Sequence, residues 1–362
     1  MDPLRRRCLT AAAFGLVAPS LRAANSAGHD IARARAGGRI DVRQKGARGD
    51  GRADDTQAIQ SAIDALPDGG GTVVVPAGIY LINPLRSLRL RDRMHLQLAQ
   101  DAWLVAIPNA APRAYVLNLH DVEDVEVSGG NLLGERERHR GTEGEWGHGI
   151  MVRGAERVTL RDLRIQRCWG DGISIGGISG AQPRPSRDVV VSNVVCSANR
   201  RQGLTIGRSR RVRVLRSAFI DTGGVLPGCG IDVEPDPGDI ADDILITDCL
   251  ARGNAGAGIQ LYERSRNVKV RGCRIVENRG DGIHVRGARD CVFENNEVND
   301  NGLRGIAIRG ESEALRLSHN RFSGNARGIR GKAGTRGKGW LHVDVSKSAR
   351  AITIERSNQL GP

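Results

Sequence analysis

Gly149-Ile150-Met151-Val152, Gly172-Ile173-Ser174-Ile175, Gly203-Leu204-Thr205-Ile206, Gly230-Ile231-Asp232-Val233, Gly258-Ile259-Gln260-Leu261, Gly282-Ile283-His284-Val285 and Gly305-Ile306-Ala307-Ile308 are seven copies of one short pattern. By subtraction, their glycines are 23, 31, 27, 28, 24 and 23 residues apart. Such a period, with short β-type runs and no room for helices between them, predicts a parallel β-solenoid. The composition agrees. Aromatic residues make up only 3% of the 362 residues, while 48 are glycine. A narrow coil filled by Val, Ile and Leu has little room for rings, and its corners need turn residues.

In each copy the branched residues point inwards, so the residue between them points out, and so does the one two further on. Stacking then predicts two outward columns. One runs Met151, Ser174, Thr205, Asp232, Gln260, His284, Ala307; the other runs Arg153, Gly176, Gly207, Glu234, Tyr262, Arg286, Arg309. His148, Asp171, Gln202, Cys229, Ala257, Asp281 and Arg304 precede the glycines. Asn199, Asn254, Asn278 and Asn301, each four residues before a glycine, are expected to form a ladder of stacked amides.

Upstream, Ile59, Ile63 and Leu66 share one helical face, behind Asp55 or Thr56 as N-cap and ahead of Pro67. This short amphipathic helix is placed to cap the first coil. The segment from Asp41 to Gly78-Ile79-Tyr80 resembles the N-terminal segment of the pectate-lyase-like superfamily. The stretch Leu96-Gln97-Leu98-Ala99-Gln100-Asp101-Ala102 resembles its polygalacturonase-type members. The resemblance implies an all-β fold: a single-stranded right-handed parallel β-helix with a short N-terminal capping α-helix. It leaves the chemistry open, because that superfamily includes lyases, hydrolases, epimerases and phage tailspikes.

The domain organisation follows. Residues 1–24, with Arg5-Arg6-Arg7 before a moderately apolar stretch, read as a signal peptide, of the Sec or twin-arginine type. Residues 25–38 read as a linker. Residues 39–362 form the β-helix domain, with a closing segment from about residue 330. The expected location is periplasmic or extracellular, for a monomer or a trimer. No apolar run reaches the roughly 18 residues of a membrane span. The net charge is +13, of which +3 lies in residues 1–23. A basic surface suits an acidic polysaccharide as partner, and nucleic acid is not the expected one. Cys249 and Cys273 each lie nine residues before a glycine and should stack, as a disulfide or as paired thiols.

The candidate site lies where Gly176 and Gly207 leave a hollow beside polar groups. Asp232, Glu234, Tyr262, His284 and Asp171 are the candidate catalytic residues. Arg201, Arg286, Gln202, Gln260, His139, Glu145, Trp146 and His148 are the candidate substrate-binding residues. The last group includes the loop from Gly134 to His148. Asp232, Glu234 and Asp236 offer oxygens to a Ca²⁺ ion, the one cofactor the reading admits.

Three chemistries compete. A lyase acting on a uronate glycan needs a cation for the sugar carboxylate, a base for the C5 proton and an acid for the leaving oxygen. Arg201 and Arg286 suit the first role, and His284 and Tyr262 suit the others. A polygalacturonase-like hydrolase needs two separated carboxylates, which Asp232 and Glu234 would supply, with Asp171 in reserve. The Asn-Thr-Asp and Arg-Ile-Lys motifs of that group are absent. A polyuronate C5-epimerase shares the elimination chemistry, but its Tyr-Gly-x-Asp-Pro-His motif is absent. A glycan-binding solenoid without catalysis is the reading outside enzymes.

Overall fold

A computed structural model of the chain describes residues 38–326 and 342–361. The expected signal peptide, nearly all of the expected linker and the basic Arg330–Lys338 stretch lie outside the described residues. What is described is a parallel β-helix of three long sheets, with 12, 12 and 10 strands, all paired in parallel. Each inner coil adds one strand to each sheet, so the order within a sheet follows the chain. The strands Val343–Val345, Arg350–Ile354 and Gln359–Leu360 supply the last rung of the three sheets.

The repeat glycines have a steric cause. A Cβ at Gly203 would lie 2.5 Å from the Gly230 carbonyl oxygen, and one at Gly230 would lie 2.7 Å from that of Gly258. Neighbouring coils therefore touch backbone to backbone at this corner. The branched residues after each glycine, such as Ile231, Val233, Ile259 and Leu261, are fully buried and fill the coil.

Helix α1 (Thr56–Asp64) covers the first coil and buries Ile59 and Ile63, with Leu66 just beyond it. Asp55 holds the N-cap position but makes no side-chain capping bond. Its carboxylate turns back and accepts from the Arg48 and Gly49 amides, at 2.7 and 3.0 Å.

The asparagine ladder is shifted from the expected one: it loses Asn199 and gains Asn325. Asn254, Asn278, Asn301 and Asn325 bond amide to amide at 2.8–2.9 Å. Asn199 is not linked to Asn254, because Thr222 occupies the intervening coil and donates its own amide to Asn254 Oδ1. The Asn199 side-chain nitrogen and the Thr222 hydroxyl are both buried without a partner. A second ladder, Asn296–Asn320–Asn358, runs at another corner. Cys249 and Cys273 are buried free thiols, each donating to carbonyls of its own coil corner.

Candidate active site on the third sheet

The outward columns follow from the pairing register of the third sheet. Met151 pairs with Ser174, Ser174 with Thr205, Thr205 with Asp232, Asp232 with Gln260, Gln260 with His284 and His284 with Ala307. The second column is continued by backbone bonds from Glu234 N–H to Ile206 and from Tyr262 N–H to Val233. Arg286 directly follows the Leu261–Val285 pair, which sets it beside Tyr262. Gly176 faces open space, as the hollow requires.

The column residues divide into two groups. The first surrounds Arg201. Its guanidinium lies 3.4 Å from Asp171, 3.5 Å from Glu145 and 3.6 Å from Glu234. Burial pushes this guanidinium towards losing its proton, but Asp171, Glu145, Asp232 and Glu234 outweigh that and raise its pKa. Arg201 is thus already neutralised by the protein and is not free to neutralise a sugar carboxylate.

Asp232 lies fully buried beneath this group. Gln202 Nε2 donates to one of its oxygens at 2.6 Å, and Gln260 Nε2 donates to the other at 3.1 Å. Gln202 is fixed in turn, because its own Oε1 accepts the Cys229 amide. Burial first, and the facing Glu234 carboxyl second, hold the Asp232 carboxyl well above the usual carboxylate range. With both oxygens held inside the fold, Asp232 is not the substrate-facing partner of Glu234 that the hydrolase reading expects.

Other expected contacts are also revised. Gln202 and His148 are buried and serve the protein rather than a substrate. His148 Nδ1 accepts the Asp171 amide at 3.0 Å, so it carries no proton there, and burial keeps the ring neutral. The ring stacks parallel to Tyr115, with centroids 5.6 Å apart. Asp171 is as buried as His148 and works through Arg201. His139 is enclosed as well: Nδ1 bonds Glu135 at 2.8 Å, and the ring stacks on Trp169 at 3.9 Å. Arg200 covers the other approach to Trp169, at 3.6 Å.

The expected long loop is shorter than the sequence suggests. Trp146, Gly147 and His148 already belong to the strand Trp146–Arg153, paired with Arg113–Tyr115. Trp146 remains exposed, with Arg113 over its ring. The proposed Ca²⁺ ligands do not converge. Asp236 stands exposed in a turn, both Asp232 oxygens are occupied, and no metal-ligating cluster exists among the described residues.

The second group is Tyr262, His284 and Arg286. His284 Nδ1 bonds Asp281 Oδ2 at 2.9 Å, and Asp281 also accepts the Arg304 amide. His284 is partly exposed, and its Nε2 takes no hydrogen bond from the protein among the described residues. Arg286 lies over the Tyr262 ring at 5.6 Å with its side chain about half exposed. Glu263, 3.7 Å away, is its one close acidic neighbour. The sequence placed Asp281 before a repeat glycine, but its bond to His284 depends on how the chain turns at Gly282. An imidazole oriented by a carboxylate, beside a phenol and an available guanidinium, can carry out general acid–base chemistry on an anion.

This three-sheet coil with its polar face defines a pectate-lyase-like parallel β-helix protein. The chain belongs to the right handed beta helix region family, whose profile matches residues 121–238 and 226–336. Residues 39–97 match a second profile, described as rhamnogalacturonase A/epimerase, pectate lyase-like. Among similar proteins is the uncharacterized protein YclG of Bacillus subtilis, 27% identical over 254 residues, or 63% of this chain and 40% of that protein. Another is the mannuronan C5-epimerase AlgE5 of Azotobacter vinelandii, 25% identical over 286 residues, or 71% of this chain and 26% of that protein. The chain thus spans less than half the length of either relative. The tailspike gp49 of Acinetobacter baumannii bacteriophage Fri1, a capsular polysaccharide depolymerase, shares the fold with a TM-score of 0.63 at 15% identity, covering 89% of this chain and 58% of gp49. The chain is a β-helix protein with relatives that act on polysaccharides.

Proposed function

We propose that the chain is a polysaccharide lyase that cleaves a uronate-containing glycan by β-elimination, outside the cytoplasm as the N-terminal signal suggests. The observation that carries this reading is the His284–Asp281 pair, placed beside Tyr262 and Arg286 on adjacent coils. Arg286 neutralises the sugar carboxylate and so stabilises the carbanion character at C5. His284 Nε2 removes the C5 proton, and Asp281 stabilises the imidazolium that forms. The C5–H electron pair becomes the C4–C5 double bond as the C4–O bond breaks. Tyr262 gives its proton to the departing oxygen.

A C5-epimerase would use the same first step and return a proton to the opposite face of C5, leaving the C4–O bond intact. The match to the mannuronan C5-epimerase over 71% of this chain favours keeping that outcome in view. A hydrolase reading rests on a different pair. Glu145 and Glu234 are each about one-third exposed and face Arg201 from two sides. Such carboxylates, separated by a guanidinium, suit an inverting mechanism better than Asp232 and Glu234 do.

Product analysis on a panel of acidic glycans separates the three. Unsaturated uronate ends mark the lyase, and inverted C5 without cleavage marks the epimerase. New saturated reducing ends would overturn both.

A further inference from the structure

The outward column that holds His284 runs on to the end of the solenoid. His284 pairs with Ala307, and Ala307 pairs with Asp344. Asp344 lies in the strand Val343–Val345, on the last rung of the third sheet. Ala307 is fully buried although it points outward. Arg304, three residues before Ala307, reaches both ways along the axis. Its Nε donates to Asp344 Oδ2 at 2.6 Å, one coil ahead. Its Nη1 lies 3.8 Å from Asp281 Oδ1, one coil behind, and its backbone amide donates to that same oxygen at 2.9 Å. Arg309 Nη2 also donates to Asp344 Oδ2, at 2.6 Å.

The two oxygens of Asp281 therefore have separate tasks. Oδ2 bonds His284 Nδ1 at 2.9 Å, and Oδ1 faces Arg304. A carboxylate held at one oxygen can turn about its Cβ–Cγ bond; held at both, it presents a fixed edge to the ring. The Asp281 side chain is 7% exposed and that of Arg304 26%, so water screens the pair only in part.

We propose that Arg304 is a positioning residue for the His284–Asp281 pair, and that Asp344 on the last rung holds Arg304 in that role. This rests on the elimination reading only for the step that His284 performs. Arg304 acts through Asp281 and is not itself a catalytic residue. The closing rung then serves the site as well as ending the solenoid.

Steady-state kinetics and NMR of the full chain test this together. Arg304→Gln is expected to lower kcat roughly tenfold, as a misplaced base does, with KM held within about twofold. The loss is smaller than for His284→Ala because the residue 304 amide still reaches Asp281. Arg304→Lys keeps a cation between the two carboxylates and is expected to recover part of the loss. Asp344→Asn should lower kcat less than Arg304→Gln does, and the double variant should be no slower than Arg304→Gln alone, because both changes act through one side chain. Additive losses would overturn the role of Asp344. An Arg304→Gln variant that melts lower but keeps wild-type kcat would make Arg304 a brace of the fold.

The NMR arm needs no turnover. Nitrogen-15 spectra of ring-labelled histidine, recorded in alkaline buffer and assigned with His284→Ala, show which ring nitrogen carries the proton. The expected result is a proton on Nδ1 of His284 in the wild type and a mixture of both forms in Arg304→Gln. An unchanged form in that variant would overturn the proposal. A wild type that leaves uronates unaltered would defeat the elimination reading, and the NMR result would still decide whether Arg304 positions the ring.

Discussion

His284 Nδ1 lies 2.9 Å from Asp281 Oδ2, across the corner where Gly282 starts the strand. The carboxylate orients the ring, on the same strand as Arg286, which lies over Tyr262 of the coil before. His284→Ala is expected to lower kcat by roughly 10²–10⁴, the usual loss on removing a general base. Asp281→Asn should lower it less, because the ring keeps its place in the strand. Steady-state kinetics with substrate concentration varied checks both. A His284→Ala variant with wild-type kcat would remove the residue from the mechanism.

Arg286 acts on substrate charge rather than on the proton. Arg286→Ala is expected to lower kcat/KM by at least tenfold on a uronate glycan, with Arg286→Lys recovering part of the loss as a point charge without the planar fork. The same substitutions should cost little on a glycan whose carboxyls have been reduced to alcohols. A loss of equal size on both substrates would mean that Arg286 serves the fold.

Asp232 sets a pH dependence of stability. Its carboxyl is held protonated well above the usual range by burial and by Glu234. The folded chain therefore keeps a proton that the unfolded chain releases once pH exceeds the ordinary carboxylate value. Stability from this group is present at low pH and is lost as pH rises towards the folded pKa. Asp232→Asn should flatten that slope. Its amide can donate to a reoriented Gln260, while Gln202 stays fixed by the Cys229 amide. Melting temperature against pH for both chains is the measurement. An unchanged slope in the variant would place the pH dependence at other buried acids such as Glu135 and Asp55, whose carboxyls burial also raises.

The ladder carries stability instead of activity. Asn278 donates to Ala251 and Asn301 and accepts from the amide and side chain of Asn254. Asn278→Ala leaves these buried groups unmatched and should cost roughly 2–4 kcal/mol. Chemical denaturation reads the loss. Where the variant still folds, its KM should be unchanged.

Much of this architecture is legible in the sequence, because a solenoid turns spacing into stacking. The glycine interval places Asp232, Gln260 and His284 in one column, and Glu234 in line with Tyr262 and Arg286, as the strand register shows. Burial on the outer face is harder to read. Alternation marks Asp232 as outward, yet Gln202 and Gln260 close over it. His139 and His148 sit where the segment from Gly134 folds back on the coils, and their burial depends on Trp169 and Tyr115, which no periodicity connects to them. Thr222 breaks the ladder because it lies eight residues before Gly230 rather than four, so a count from the glycine skips it.

The central claim is that His284 Nε2 takes the proton from C5 of a uronate held at Arg286. Digesting an acidic glycan in heavy water with wild type and His284→Ala, and analysing products by mass spectrometry and NMR, tests it most directly. The account predicts unsaturated uronate ends from the wild type, or deuterium at C5 if the proton is returned, and neither from the variant. Saturated reducing ends with C5 hydrogen fully retained would contradict it.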